Sequence, residues 1–301
     1  MRIRCGLRRV TLVAAVLLYS LMMTLPIVAQ QRQARPAGPP QPTPRRADGT
    51  VNLGSIEPNR GFFSGRQHWG YEEVLKDPKE GIPYQPWAKA LREFRQGTLS
   101  KYDPEGYCLP PGGPRAMTTP FPFQFIQLPE EKRILIIYEG GTHIWRNIYM
   151  DGRPHPEGDK LTPTWTGHSV GHWEGDTLVV DVVGFNEGTW IDGYGDPHTD
   201  QLHVIERFLR PDLMTLHYEA TIDDPGAYTR PWTIAFDLSW NPNGEIMEYI
   251  CQENNLWLKR LLKQVPNKQA FGSEPRQRLL HRDDRARGTS RSEIRRTCGC
   301  R

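Results

Sequence analysis

Between Phe123 and Cys251, turn residues cut the chain into short apolar or alternating runs, and this punctuation constrains the fold more than any other feature. The runs are Phe123–Leu128, Ile134–Tyr138, His143–Met150, Thr164–Trp173, Thr177–Val183, Leu202–Leu209, Met214–Ile222, Trp232–Trp240 and Glu245–Cys251. Their length and period of two fit strands, which put alternate side chains on opposite faces. Asp151-Gly152, Glu174-Gly175-Asp176, Arg210-Pro211-Asp212 and Asn241-Pro242-Asn243-Gly244 supply hairpin chemistry between them. Consecutive antiparallel strands form a meander, and closure into a barrel removes its exposed edges. The stretch has the length of one small antiparallel barrel, about 130 residues. A β-sandwich is the alternative. With 28 Gly and 27 Pro in 301 residues, the composition suits a turn-rich β protein and disfavours a coiled coil.

The rest of the chain divides around this domain. Residues 1–29 read as a secretory signal: Arg2, Arg4, Arg8 and Arg9 precede an apolar run from Val10 to Leu25, and cleavage is expected before Gln30. A retained membrane anchor is the alternative. Residues 30–47 form a Pro-rich linker, and residues 48–122 an extension packed on the barrel. Within it, Trp87, Ala90, Leu91 and Phe94 make the apolar stripe of a helix over Tyr84–Gln96. Residues 123–270 hold the barrel and a C-terminal helix over Asn254–Gln264. Residues 271–301 are a basic tail without apolar pattern, expected to be disordered. Nine Arg against four acids in that tail, and four unopposed Arg in residues 1–29, leave residues 30–270 at −6 although the whole chain carries +3. A basic nucleic-acid-binding body is thereby disfavoured.

Cysteines follow the same logic. In an oxidising compartment Cys108, in a Pro/Gly-rich loop, is expected to bridge to Cys251, at the end of the last run. Two isolated thiols are the alternative. Cys298 and Cys300 have no further ligands spaced for a metal.

Several ionisable residues interrupt apolar strand faces. Strand alternation puts His168, Val170 and His172 on one face and Ser169, Gly171 and Trp173 on the other. His168 and His172 then lie about 13 Å apart, too far to share a metal unless the chain bends. Leu202, Val204, Glu206 and Phe208 share a face, and Glu206 can pair with Arg146. The long loop 184–201 carries Trp190, Asp192, Tyr194, Asp196 and His198, and it suits a lid over a barrel mouth. One reading makes these charges structural ion pairs. The sharper one gathers His168, Asp192, His198 and Glu206 into an acid–base set at one end of a cavity. Arg146, Trp173, Trp190, Tyr194, Arg207 and His217 would then contact the ligand. Ser169 sits in Gly-His-Ser-Val-Gly, but a hairpin follows it, not the helix that a nucleophile elbow needs.

The strings IYMDGRPHP (148–156), TWTGHSVGHWEGDTLVVDVVGFN (164–186), WIDGYGDPHTDQLHVIERFLR (190–210), TIDDPGAYTRPWT (221–233) and EYICQENN (248–255) resemble a family of uncharacterised secreted bacterial proteins. DPEGYCLPPGGPR (103–115) and PFPFQFIQ (120–127) fit it as well. The resemblance implies export and no particular reaction. The strand pattern is also similar to lipocalin-like barrels, a likeness of architecture alone. The leading expectation is a periplasmic or secreted barrel holding a small, partly apolar molecule, with no cofactor or metal. It would bind no nucleic acid and meet the membrane only during export. A cofactor-independent hydratase, isomerase or hydrolase of the same shape is the alternative, and an envelope interaction protein the third.

Overall fold

A computed structural model describes residues 39–54, 60–141, 144–253 and 255–256. Among them nine strands close into a single barrel in sequence order. They are β1 (Gly61–Ser64), β2 (Phe123–Leu128), β3 (Arg133–Tyr138), β4 (Trp145–Tyr149), β5 (His168–Glu174), β6 (Thr177–Val183), β7 (His203–Leu209), β8 (Thr215–Asp223) and β9 (Trp232–Pro242). The described residues are thus mainly β and close into a barrel, the first of the two architectures that the turn pattern suggests.

The circuit departs from a plain meander twice. First, β4 and β5 pair in parallel, through Ile148↔Ser169 and Tyr149↔Val170. Residues 150–167 therefore carry the chain back to the end where β4 began. Asp151-Gly152 closes no hairpin; Gly152, at φ +73°, turns the chain away from the sheet. Second, Glu245–Cys251 is not a strand. Instead β9 runs for eleven residues and pairs with β1, Gly61↔Pro242 to Ser64↔Ser239. The closing strand thus comes from the extension, ahead of the expected barrel.

Alternation decides what fills the lumen. Leu178, Val180 and Val182 of β6 are buried, as are Val204, Glu206 and Phe208 of β7 and Leu216, Tyr218, Ala220 and Ile222 of β8. Rings join the walls. Phe63 lies 6.0 Å from Phe123 and 4.9 Å from Trp240, Phe125 5.4 Å from Phe208, and Phe208 5.1 Å from Tyr218, centroid to centroid. Each buried ring contributes roughly 1.5–3 kcal/mol by leaving water.

The lower end, where β7 turns into β8, is closed by Arg210. Its guanidinium lies 4.9 Å from the Phe63 ring and 4.6 Å from that of Trp240. It donates to the carbonyls of Asn52 and Leu213, both at 2.8 Å. Burial lowers its pKa to about 10. Residues 42–54 run along this end. Pro42 bridges to Asp212, and Arg45 pairs with Asp176 at 2.6 Å.

The upper end, where β6 gives way to β7, is covered by α1 (Pro86–Gly97), the loop 184–201 and the loop 103–119. Pro86 starts α1, where its missing N–H costs nothing. The buried face is not the expected Trp87/Ala90/Leu91/Phe94 stripe. It is Ala88, Leu91, Arg92 and Arg95, and Ala90 is exposed. The arginine stems pack like apolar chains while their heads reach polar partners in the loop. Cys108 and Cys251 are disulfide-bonded, with Cα atoms 5.5 Å apart across 143 residues of sequence. The signal segment, the C-terminal helix but for its first residues, and the basic tail lie outside the described residues. No helix among the described residues is long and apolar enough to cross a membrane.

Candidate functional site

The upper end concentrates buried charge. Asp192, fully buried, accepts four backbone N–H groups: Tyr194 at 3.0 Å, Gly195 at 2.8 Å and Asp196 at 3.0 Å on Oδ1, and Tyr71 at 3.2 Å on Oδ2. It thereby ties the loop to the segment after β1. Asp196, equally buried, accepts from the Tyr84 hydroxyl at 2.6 Å and lies 2.9 Å from Arg92 Nε. Arg92 also pairs with Glu72. Gly195 has φ +96°, and a Cβ there would meet the Arg95 side chain at 2.6 Å. Only glycine lets the loop lie this close to α1.

Two buried carboxylates beside one guanidinium compete for a proton. Burial raises Asp192 to about 6, with its N–H donors and Arg92 opposing. Burial, then the charge of Asp192, raises Asp196 further. Asp196 Oδ2 has no hydrogen-bond partner among the described residues. The pair as a whole therefore favours holding a shared proton. Both folded-state values lie above the unfolded value, so the folded chain binds more protons and this pair favours folding at acid pH. The contribution of Asp192 should decline as pH rises from about 4 through about 6. Urea unfolding at pH 4 to 7 should show Asp196→Asn with a flatter profile than the parent chain. Superimposable profiles would refute the shared proton.

His198 is buried in the same region. Its Nδ1–H donates to the Thr199 carbonyl at 2.9 Å, and its Nε2 meets the Thr189 hydroxyl. Burial lowers its pKa. Trp190 lies under Arg95, 4.5 Å from guanidinium carbon to ring, and Tyr194 under Arg92 at 5.5 Å. Asp224 receives the Thr199 amide and hydroxyl, both at 2.6 Å. These partners hold the lid down.

Glu206 lies apart from them, inside the barrel. It pairs with Arg146, as its face predicts, and accepts from the Tyr218 hydroxyl at 2.8 Å. Arg146 Nε donates to Ser169 Oγ at 2.9 Å, so Ser169 is a strand residue facing inward and not an elbow nucleophile. The convergence of His168 with Glu206 is corrected. Gly171 and Glu206 both pair with Val180, so the inward face of β5 is Ser169 and Gly171, and His168 points outward. His168 Nδ1 is 2.8 Å from His155 Nδ1, and Asp181 accepts from His155 at 3.1 Å and His203 at 2.8 Å. Burial, then His155 and Arg153, lowers the His168 pKa. Among the described residues no group of three or more His, Cys, Asp or Glu could hold a metal ion.

The expected ligand contacts also scatter. Trp173 is half-buried near the lower end. Arg207 pairs with Glu174 at 2.7 Å on the outer surface. His217, also outward, meets Asp237 at 2.7 Å and Glu219 at 3.3 Å. Burial depresses the His217 pKa, but these carboxylates leave it raised.

Beside the disulfide at the upper end lies a cleft of about 450 Å³. Trp69, Phe121 and Leu256 give it apolar walls; Asp103, Glu105 and Glu253 give it charge. None of these six was expected as a contact, because they come from four separate segments. The loop 184–201 supports it from behind: the Trp69 carbonyl accepts the Gly193 amide at 2.8 Å and the Tyr194 amide at 3.1 Å. Compared with protein-family models, curated proteins and solved structures, the chain matches nothing.

Proposed function

We propose that this is an exported β-barrel protein that binds a small, partly apolar molecule in the cleft at its upper end. The cleft itself carries the reading. Its volume, about 450 Å³, falls within the range of small-molecule sites, and its lining combines apolar walls with a few polar groups. The lumen is a poorer place for a ligand, because the rings of Phe125 on β2 and Phe208 on β7, from opposing walls, meet across it. The disulfide supports export to an oxidising compartment such as the periplasm. An enzyme reading is weaker. The four groups of the expected acid–base set are divided among the lid, the lumen and the outer surface.

Native mass spectrometry of the protein isolated from a periplasmic extract tests this. The chain should begin at Gln30 and carry a bound small molecule, which Trp69→Ala should lose. A chain that keeps Met1 in the membrane fraction and binds nothing would overturn the proposal.

A further inference from the structure

We infer that the ligand of this cleft is an organic cation with apolar substituents, of the quaternary ammonium kind; the inference rests on the cleft being the binding site. Three carboxylates line it, and the arginine held among them is already engaged. Arg115 donates to Asp103 Oδ1 at 2.7 Å and Oδ2 at 2.6 Å, and to Glu105 Oε2 at 2.8 Å. One guanidinium thus faces two carboxylates, and Glu253 adds a third. The Glu253 side chain has no hydrogen bond or ion pair among the described residues, and Glu105 Oε1 has none either. Among the described residues the cleft therefore has more carboxylates than cations. Burial raises the Glu105 pKa, Arg115 opposes this in part, and Asp103 raises it again. A cation with a weak hydration shell supplies the missing charge at small desolvation cost. An anion would be repelled.

The aromatic walls favour the same guest. Trp69 is 42% exposed. Gly193 lies against it, so close that a Cβ would be 2.7 Å from Trp69 Cε3. Phe121 is seated in the same way on Gly140, where a Cβ would fall 2.1 Å from the ring, and Tyr249 braces it at 4.9 Å. Cys251, through its bridge to Cys108, ties the segment carrying Tyr249 and Glu253 to the loop 103–119. The two rings are thus fixed before a ligand arrives, which cuts the ordering cost of binding. Fixed aromatic faces beside carboxylates attract a cation through both ring quadrupole and charge.

The test is isothermal titration of the oxidised mature protein with three probes of one shape: choline, the neutral 3,3-dimethylbutan-1-ol and the anion 3,3-dimethylbutanoate. Choline should bind at least about tenfold more tightly than the alcohol, and the anion should not bind. Glu253→Gln, at an exposed site, should weaken choline severalfold and leave the alcohol unchanged. Trp69→Leu should weaken both. Equal binding of choline and alcohol overturns the inference and leaves the cleft standing as a small-molecule site. If none of the three binds at millimolar concentration, the inference fails, and the native mass spectrum decides separately whether the cleft reading fails with it.

Discussion

Replacing Cys108 and Cys251 together by alanine should cost on the order of 5 kcal/mol of stability. The bridge spans 143 residues, from ahead of β2 to beyond β9. On the chain-entropy model a closed loop of this size removes about 5 kcal/mol of freedom from the unfolded state. For a domain of this size the melting temperature should fall by roughly 10–20 °C. Thermal unfolding of the variant against the oxidised parent measures it, and the parent in excess reductant should reproduce the shift. An unchanged midpoint in both would mean that the barrel already confines these ends without the bond. The cleft gives a second readout. Below the melting temperature the variant should bind choline less well, because Cys251 fixes one wall.

The Arg146–Glu206 pair inside the barrel gives the second large effect. Both residues are buried, at 3% and 1% exposure, so removing either strands a charge away from water. Glu206→Ala should lose about 3–5 kcal/mol, and Arg146→Ala a similar amount. Arg146→Met with Glu206→Leu should recover most of that loss, since a well-packed apolar pair replaces a desolvated ionic one. Tyr218→Phe added to the double variant should recover a little more, because its hydroxyl otherwise loses its acceptor. Urea unfolding of the cycle measures the coupling. Additive single and double variants would mean that the two charges do not depend on each other.

The sequence was legible wherever local chemistry and face agreed. Thr177–Val183 is bounded as expected because Gly175, at φ +59°, makes the tight turn before it. The two faces of β5 and β7 separate by alternation, and this alone foretold the Arg146–Glu206 pair. Alternation says which residues share a face, not which face looks inward. On β5 the inward set is Ser169, Gly171 and Trp173, hardly more apolar than the outward His168, Val170 and His172. His168 was therefore assigned to the wrong side. β1 escaped because Gly61–Ser64 offers only four residues of pattern. The parallel pairing of β4 with β5 has no local signature, because the turn at Asp151-Gly152 resembles that of a hairpin. On α1 the arginines at 92 and 95 lie outside the apolar stripe, and their burial depends on the distant loop 184–201, which supplies Asp196 and the Gly195 carbonyl.

Closure by β1 has a kinetic side. Neighbouring strands from β2 onward meet soon after they are made, but Gly61 must find Pro242, 181 positions away. Contacts between such distant positions are slow to form, because the loop entropy is lost before any of the pairing is gained. Until then β2 and the eleven-residue β9 stand as open edges, with Trp232 and Trp240 on one of them. A half-finished barrel of this kind is an adhesive template for its own copies. Crowding during synthesis is consequently the hazard this topology carries.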